Sequence, residues 1–333
     1  MNKSDKFLTA CSVIYVTLPV ILFAYGWLRY YLSVPFILIT IYFIYRIYRE
    51  LSSENICLIN KDSAKFWLIT SGVIFLWVFL SGIGGFCYQN WDFIVRNPIY
   101  HDLCNYNWPV VYDLSLQSEA AKAIMGTGKV AFSYYFSWWL PPALISQIFS
   151  LSYSGQEICL YFWAVTGIFL VTYNLCRFFR KNSYIIPIIF IFFSGLDIIG
   201  YLMRILVNGR WEAFKTLIAS HIEWWARIAQ YSSNTTQLFW VFNQSLEIWL
   251  IVILLLQLRT NKNSQALSSL TFAYSPWAVF GIIPISIASL FHNNRKFTSG
   301  ITLQNIFLPL AVLLYFTELF IYPVTVPEHQ VQL

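Results

Sequence analysis

Apolar runs long enough to cross a lipid bilayer are the feature that most constrains this chain. A spanning helix needs about 20 mostly apolar residues. Backbone groups find no water in the bilayer core, so such segments fold as helices. The sequence therefore predicts an all-α polytopic membrane protein, a single integral membrane domain over residues 1–333. The predicted spans are 7–26, 31–49, 65–84, 157–177, 184–205, 236–258 and 301–322.

The composition excludes a soluble enzyme and a nucleic-acid-binding protein. Only 11% of the residues are charged and 58% are hydrophobic, whereas soluble domains carry about 25% charged residues. The net charge of +6 is spread over helix ends and forms no basic stripe of the kind a nucleic acid needs. The first apolar run lacks a small-residue cleavage pattern, so we predict an uncleaved first span.

The distribution of Lys and Arg predicts the orientation in the cell (inner) membrane. Cytoplasmic connections are enriched in these residues, which places the N-terminus in the cytoplasm and the C-terminus outside. The assignment requires that 134–151 does not cross. Pro141-Pro142 would break a span, and Trp138-Trp139 favours the interface, so 143–151 is predicted as a short juxtamembrane helix. The Lys and Arg residues that this orientation places on the cytoplasmic side are Lys3, Lys6, Arg46, Arg49, Lys61, Lys65, Arg177, Arg180, Lys181, Arg259, Lys262, Arg295 and Lys296.

Two segments are then extracytoplasmic, a loop at 85–156 with juxtamembrane helices and a second segment at 206–235. Within the second segment, Arg210–Ala229 has the periodicity of an amphipathic interfacial helix. Near the C-terminus, Ser275-Pro276-Trp277 and Pro284 interrupt the apolar stretch 265–292. We predict two half-length helices forming a re-entrant hairpin, which is tolerated where protein or a cavity covers the broken backbone.

The loop at 85–156 carries the candidate chemistry. Asp92 and Asp102 are carboxylates near the outer interface that could serve as a general base and as an orienting group, or could simply be solvated loop acids. Asn97-Pro98 predicts a helix start, with Asn97 as the N-cap. In the same loop, Cys87 and Cys104 could pair in an oxidising compartment or remain free.

The other polar candidates each have a structural alternative. Arg96 could bind phosphate with its planar fork or anchor the chain at the interface. His101 could orient a substrate or be a surface histidine. Trp108 could stack on a sugar or belong to the aromatic belt.

Further candidates lie in the second half of the chain. His221 and Glu223 point about 160° apart on a regular helix, which disfavours a shared metal. Asn243-Gln244 suits a polar cavity wall or interhelical hydrogen bonds. Acids inside predicted spans are costly and usually face a cavity or a partner, and this group comprises Asp197, Glu247 and Glu318.

The order of several motif blocks resembles the GT-C superfamily of membrane glycosyltransferases, in particular a bacterial branch. In the loop these are Asp92, then Arg96-Asn97, Asp102-Leu103 and Trp108-Pro109-Val110. Arg96 stands where that branch has a histidine. The later blocks are Tyr134-Tyr135 to Pro141-Pro142, His221-Ile222-Glu223-Trp224-Trp225, Tyr231 to Thr235, Leu238 to Gln244, Ser275-Pro276 and Ile283-Pro284.

The resemblance implies a GT-C-like helical bundle and transfer of a sugar from a polyprenyl-phosphate donor to an envelope glycan, lipid or protein. It implies Asp92 as the catalytic base, with Asp102 assisting. Some members use Mg²⁺ or Mn²⁺, so a divalent cation is possible. Competing interpretations are a transporter or flippase of lipid-linked sugars using Asp197 and Glu247, and a non-catalytic scaffold. The substrate-binding candidates are Arg96, Asn97, His101, Trp108, His221, Glu223 and Gln244.

Overall fold

A computed structural model describes residues 2–54, 56–113, 119, 129–132, 134–209, 223, 231–258 and 261–291. These residues are mostly helical, with one short antiparallel pair of strands, β1 (Val111–Asp113) and β2 (Lys129–Ala131). The helices in chain order are α1 (Lys3–Trp27), α2 (Tyr30–Ser52), α3 (Ala64–Leu80), α4 (Phe93–Asn105), α5 (Leu140–Ile148), α6 (Tyr153–Phe178), α7 (Ile185–Phe192), α8 (Asp197–Asn208), α9 (Asn234–Gln257), α10 (Asn261–Ser269) and α11 (Pro276–Phe291).

The membrane-spanning character predicted from the apolar runs is confirmed. Helices α1, α2, α6 and α9 are each long and apolar enough to cross a bilayer, and the pair α7–α8 makes a fifth if it counts as one span. Helix α3 has 17 residues and is a shorter apolar helix. The predicted span 301–322, with Glu318, lies outside the described residues.

The prediction of one continuous helix over 184–205 is wrong. Helices α7 and α8 are bent by 46° at a break of four residues, and Ser194 within the break has a φ of 59°. A residue other than glycine rarely adopts this left-handed region, so the helix cannot continue through it. The hydroxyl of Ser194 donates to the carbonyl oxygen of Tyr231 (3.1 Å), which supplies a partner outside the helix. Asp197 is therefore the first residue of α8.

The loop at 85–156 is built around α4, which does not start where the sequence predicted. It begins at Phe93, and Pro98 lies inside it rather than in its first turn. The carbonyl oxygen of Asp92 accepts from the amides of both Val95 and Arg96. The first turn is therefore closed before Pro98, whose missing N–H removes only one later bond.

A short helix does precede α6, but α5 begins at Leu140 rather than at 143, and its place beside the membrane stays a prediction. Its nine residues are about 13 Å long, too short to cross a bilayer. Trp138 and Trp139, which were predicted to favour the interface, are fully buried within the protein. Both rings pack on Phe242 of α9, with centroid distances of 5.2 and 6.1 Å.

The two helices predicted to meet near Ser275-Pro276 are present, and their re-entrant placement in the membrane stays a prediction. Helix α10 continues through a 3-10 turn at Leu270–Ala273, and α11 then returns alongside it, so that the Ser286 hydroxyl donates to that of Ser268 (2.8 Å). At the tip, the Tyr274 hydroxyl donates to the carbonyl oxygen of Val16 (2.7 Å), near the midpoint of α1. The hairpin therefore turns halfway along the bundle.

The bundle has two ends that differ in their polar contents. The Arg177 end is defined by Asp5, Leu51 and Arg177, where the start of α1 meets the ends of α2 and α6. The Arg96 end holds α4, α5 and the first turns of α6 and α9. The six cysteines are all free, so Cys87 and Cys104 are not paired in this structure.

Candidate functional site

Asp92 and Arg96 form an ion pair at the Arg96 end. The Nη2 atom of Arg96 donates to Oδ2 of Asp92 (2.7 Å), one helical turn away. The amide of Asp92 donates to the side-chain oxygen of Asn90 (3.0 Å). Arg96 thus holds the carboxylate and Asn90 holds the backbone of Asp92, while 24% of the side chain remains exposed.

Arg96 itself is buried, with 5% of its surface exposed. Its guanidinium carbon lies 5.5 Å from the centroid of the Phe242 ring, within the range of a cation–π contact. Nε and Nη1 have no hydrogen-bond partner among the described residues. In this conformation the guanidinium orients Asp92 and is not open to a lipid phosphate.

A kink in α9 places Phe242 under Arg96. Val241 has φ −136° and ψ 38°, which are not helical values. The freed carbonyl oxygen of Phe239 accepts a hydrogen bond from the side-chain amide of Asn90 (2.6 Å). Asn90 therefore ties the loop beside Asp92 directly to the break in α9, a connection that spacing along the sequence could not reveal.

Aromatic side chains surround the ion pair. Tyr134 stacks on Tyr135 (3.9 Å) and on Trp139 (6.3 Å). Burial, together with the hydrogen bond to Tyr135, raises the pKa of Tyr134, and Arg96 and Asp92 are among its electrostatic neighbours. Trp91, next to Asp92 in the chain, is 60% exposed and packs edge-to-face on Trp240 (5.9 Å). Such flat aromatic faces suit a sugar ring.

Asp102 is not brought together with Asp92. The two residues lie ten positions apart along α4 and its N-cap, which is about 15 Å along a helix axis. Asp102 instead accepts a hydrogen bond from the hydroxyl of Tyr112, at the start of the strand pair. Burial and this carboxylate raise the pKa of Tyr112, which stays a protonated donor. Asp102 thus fastens the strand pair to α4.

His101 is clamped to the start of α6. Its Nδ1 lies 2.6 Å from Oε1 of Gln156 and its Nε2 lies 2.8 Å from Oε1 of Glu157. The amide nitrogen of Gln156 donates to Asn105 (3.0 Å), which leaves the amide oxygen facing the histidine. Both ring nitrogens therefore face acceptors, as suits an imidazolium.

The pKa of His101 follows from the same contacts. Burial alone would lower it, but the hydrogen bonds to Glu157 and Gln156 outweigh burial, and the pKa is raised. Sequence reasoning missed Gln156 and Glu157. Their signal was a Gln-Glu pair at the start of an apolar span, where buried polar side chains need partners.

The remaining loop candidates make packing contacts. The side-chain amide of Asn97 donates to Gln89 (2.9 Å). The indole N–H of Trp108 donates to the carbonyl oxygen of Leu103 (3.0 Å), and its ring lies 5.4 Å from that of Trp27. Trp108 thus packs the end of α4 against the end of α1 and is half-buried there.

The candidates from the second half lie apart from Asp92. Glu223 accepts a hydrogen bond from the amide of Ser233 at the N-cap of α9 (2.7 Å). Gln244 accepts from the hydroxyl of Ser275 at the hairpin tip (3.1 Å). His221 and the predicted amphipathic helix, apart from Glu223, lie outside the described residues.

The donors near Asp92 do not suit a divalent cation. Its nearest charged partner is a guanidinium, and Asp102 lies farther along the helix, whereas Mg²⁺ takes several oxygen ligands. Over the part of the chain with described structure, no three His, Cys, Asp or Glu residues are grouped to hold a metal. Comparison with family models, curated proteins and solved structures found no match to this chain.

Proposed function

We propose that this chain is a membrane glycosyltransferase that moves a sugar from a polyprenyl-phosphate donor to an envelope acceptor on the extracytoplasmic face. The observation that carries the proposal is the partly exposed Asp92 carboxylate, held by buried Arg96 among aromatic rings at one end of a membrane bundle. The motif order from Asp92 to Pro284 that resembles GT-C enzymes adds support.

In the proposed reaction, Asp92 acts as a general base. Arg96 engages Oδ2, and Oδ1 takes the proton as the acceptor O–H bond breaks. The acceptor oxygen then bonds to the anomeric carbon, and the bond from that carbon to the phosphate oxygen breaks. Its electron pair leaves with the polyprenyl phosphate. A single displacement of this kind inverts the anomeric configuration, and the aspartic acid then returns its proton to water.

The neighbouring residues support this chemistry by positioning. Arg96 is a positioning residue, because it holds Asp92 in one rotamer while its own burial limits its motion. Trp91, next to Asp92 in the chain, offers an exposed aromatic face. The apolar side chains of Ile94 and Val95 on α4 are exposed beside the pair, which would let the lipid chain of the donor approach this end of the bundle.

The test compares Asp92→Asn with Asp62→Asn, the same change at an exposed residue in the connection between α2 and α3. Membranes containing each variant are incubated with undecaprenyl phosphate carrying radiolabelled hexoses or pentoses, and label in the envelope fraction is measured. Removal of a general base should lower transfer by about 100-fold or more, while Asp62→Asn should match the wild type.

Two results would contradict the proposal. One is full transfer by Asp92→Asn at equal protein levels. The other concerns wild-type protein that size-exclusion chromatography shows to be folded. If it raises transfer from none of the donors above the level in membranes without the protein, the proposal fails.

Asp102→Asn should lower transfer less than Asp92→Asn, because Asp102 binds Tyr112 rather than facing the ion pair.

A second candidate function is the transport of lipid-linked sugars, which the discontinuous helices favour. The break between α7 and α8 borders an apolar groove of about 600 Å³ whose lining includes Phe192 and Asp197. The hairpin tip is a second discontinuity, and broken helices often frame substrate sites in transporters. In proteoliposomes, movement of a labelled lipid-linked sugar across the bilayer that is unaffected by Asp92→Asn would favour this candidate.

A further inference from the structure

A carboxylic acid without a partner lies in the middle of the bundle. Glu247 is near the midpoint of α9 and has no exposed surface. Neither of its carboxyl oxygens has a hydrogen-bond partner among the described residues. Tyr15, near the midpoint of α1, is its electrostatic neighbour. The acid therefore lies at the depth where the apolar helices α1 and α9 are farthest from either end.

A second unpaired polar group lies one turn away on the same face of α9. Asn243 is also fully buried, and neither atom of its side-chain amide has a partner within the described structure. Residues four apart are neighbours on a helix surface. An ionised carboxylate here would cost several kcal/mol of desolvation, and even a neutral polar group left unpaired costs about 1–3 kcal/mol. Packing alone does not explain why such a pair is kept.

A line of buried hydroxyl groups leads from the Arg177 end towards this pair. Ser264, Ser268, Thr271 and Ser275 are all buried on the hairpin. The first two lie on α10, the third in the 3-10 turn and the fourth just before α11, so the hydroxyls follow one another along the hairpin. The line begins beside Asn263, which donates to Glu50 at the Arg177 end. It ends where Ser275 donates to Gln244 (3.1 Å), three residues before Glu247.

We propose that Glu247 is a proton-binding site inside the membrane, supplied from the Arg177 end along the hydroxyl line and Gln244, with Asn243 as its polar neighbour. This inference does not depend on the proposed transferase activity. Hydroxyl and amide groups both donate and accept hydrogen bonds, which is what proton movement along a chain of groups and intervening waters requires. The carboxyl group stores the proton, so it is neutral at rest and its burial is tolerated.

The surroundings of Glu247 favour a proton over a metal cation. Tyr15 is the titratable neighbour on α1, and its hydroxyl accepts from the indole of Trp138 (3.3 Å) and donates to the carbonyl oxygen of Trp163 (3.1 Å). On the α6 side, a Cβ added to Gly167 would lie 2.3 Å from the Tyr15 hydroxyl. The helices are thus in close contact here, which suits a proton better than an ion needing a cage of oxygens.

Packing by small residues is the alternative explanation of the hydroxyl line. Serine and threonine let membrane helices approach closely, and on α10 the Ser268 hydroxyl donates to the carbonyl oxygen of Ser264 (2.9 Å). This explanation accounts for the hydroxyls but not for the acid at their end.

The experiment is infrared spectroscopy on the purified full chain in proteoliposomes. The difference spectrum between the wild type and Glu247→Gln should contain the carbonyl stretch of a protonated carboxyl group at neutral pH. That band should shift when the buffer is exchanged for D₂O, and Ser275→Ala should slow the shift severalfold. Glu157→Gln is the matched control, because Glu157 is ion-paired with His101 and should contribute no such band.

Three outcomes would overturn the proposal. If Glu247→Gln removes no band, the acid is ionised. If the band is removed but never shifts in D₂O, the acid is sealed and no path reaches it. If excess sodium chloride at constant pH abolishes the band, the site binds sodium. Should Glu247→Gln fail to fold, Glu247→Asp replaces it, and the expected result is a band at a different frequency.

Discussion

Two buried arginines at opposite ends of the bundle have very different surroundings. Arg177 is 1% exposed; it donates to the Thr9 hydroxyl (3.0 Å) and the Leu51 carbonyl oxygen, and it lies 3.9 Å from Glu54. Asp5 beside it accepts from the Leu58 amide and the Tyr173 hydroxyl (both 3.1 Å). Arg96 is as deeply buried but bonds only to Asp92 within the described structure.

The comparison separates structure from function. At the Arg177 end, one cation joins α1, α2 and α6 through hydrogen bonds to Thr9 and Leu51, although its Nε has no partner among the described residues. Hydrogen bonds of this kind between helices rigidify a fold. At the Arg96 end, the cation holds a single carboxylate that remains reachable from outside. Unsatisfied polar groups in a native structure call for an explanation, and the proposed transferase site would supply one for Nε and Nη1 of Arg96.

The largest expected effect is the loss of stability in Arg177→Met. Removing the cation of this buried network takes a donor away from the Thr9 hydroxyl and the Leu51 carbonyl oxygen, which costs about 3–5 kcal/mol. Unfolding in detergent, followed by circular dichroism, measures it. Arg180→Met, an exposed arginine three residues later, should change stability by less than about 0.5 kcal/mol. If Arg177→Met and Arg180→Met lowered stability equally, the difference drawn between the two ends of the bundle would be wrong.

Gly84→Ala should destabilise the Arg96 end. Gly84 has a φ of 86°, and an added Cβ would lie 2.9 Å from Tyr161 and 3.1 Å from the Glu157 carbonyl oxygen. Backbone strain and the close contacts together should lower the free energy of unfolding by about 1–3 kcal/mol. Gly72→Ala is the control, since nothing lies within 4 Å of its Cβ position, and it should stabilise α3 by about 0.5–1 kcal/mol. A neutral Gly84→Ala would show that the turn is not held rigidly.

Arg96→Met should cost less than about 1 kcal/mol of stability, because methionine removes two unpaired buried donors. Asp92 can then be hydrated through its exposed fraction. Transfer activity should nevertheless fall, because the base loses its orientation. The same unfolding assay and the labelled-donor assay measure the two effects. A stability loss as large as that of Arg177→Met would make Arg96 a structural residue.

The smallest expected effect is a pH dependence from His101. Its pKa is raised in the folded protein above the ordinary value of about 6.5. The pair with Glu157 therefore contributes its full stabilisation of the fold below about pH 6.5. This stabilisation is lost as the pH rises through the pKa of His101 in the folded protein. Unfolding measured from about pH 6 upward should show declining stability. His101→Gln should flatten this decline, and an unchanged slope would assign it to another group.

The sequence predicted some elements well because their signals are local. The apolar lengths predicted α1, α2, α6 and α9, and Ser275-Pro276 predicted the hairpin turn. The start of α4 was misplaced because Asn97-Pro98 is a strong local signal that the earlier turn at Asp92 overrides. The break at Ser194 was missed because its backbone conformation depends on contacts with Tyr231 and Asn234.

The candidate site was only partly predictable, because sequence signals report local contacts and not distant ones. Asp92 and Arg96 are four residues apart, so helical periodicity alone could bring them together. The hydrogen bond between His101 and Glu157 joins residues 56 positions apart, so spacing along the sequence cannot predict it. The contact of Asn90 with Phe239 is equally remote in sequence.

The sequence by itself determined that this chain belongs in a bilayer, because hydrophobic length and backbone satisfaction are properties of single segments. Only the tertiary structure decided which buried charges are satisfied. Arg177 and Arg96 look alike in a sequence, as cations beside apolar runs. Whether a charge meets carbonyls, hydroxyls and acids from other helices, or only one neighbouring carboxylate, depends on how distant segments pack.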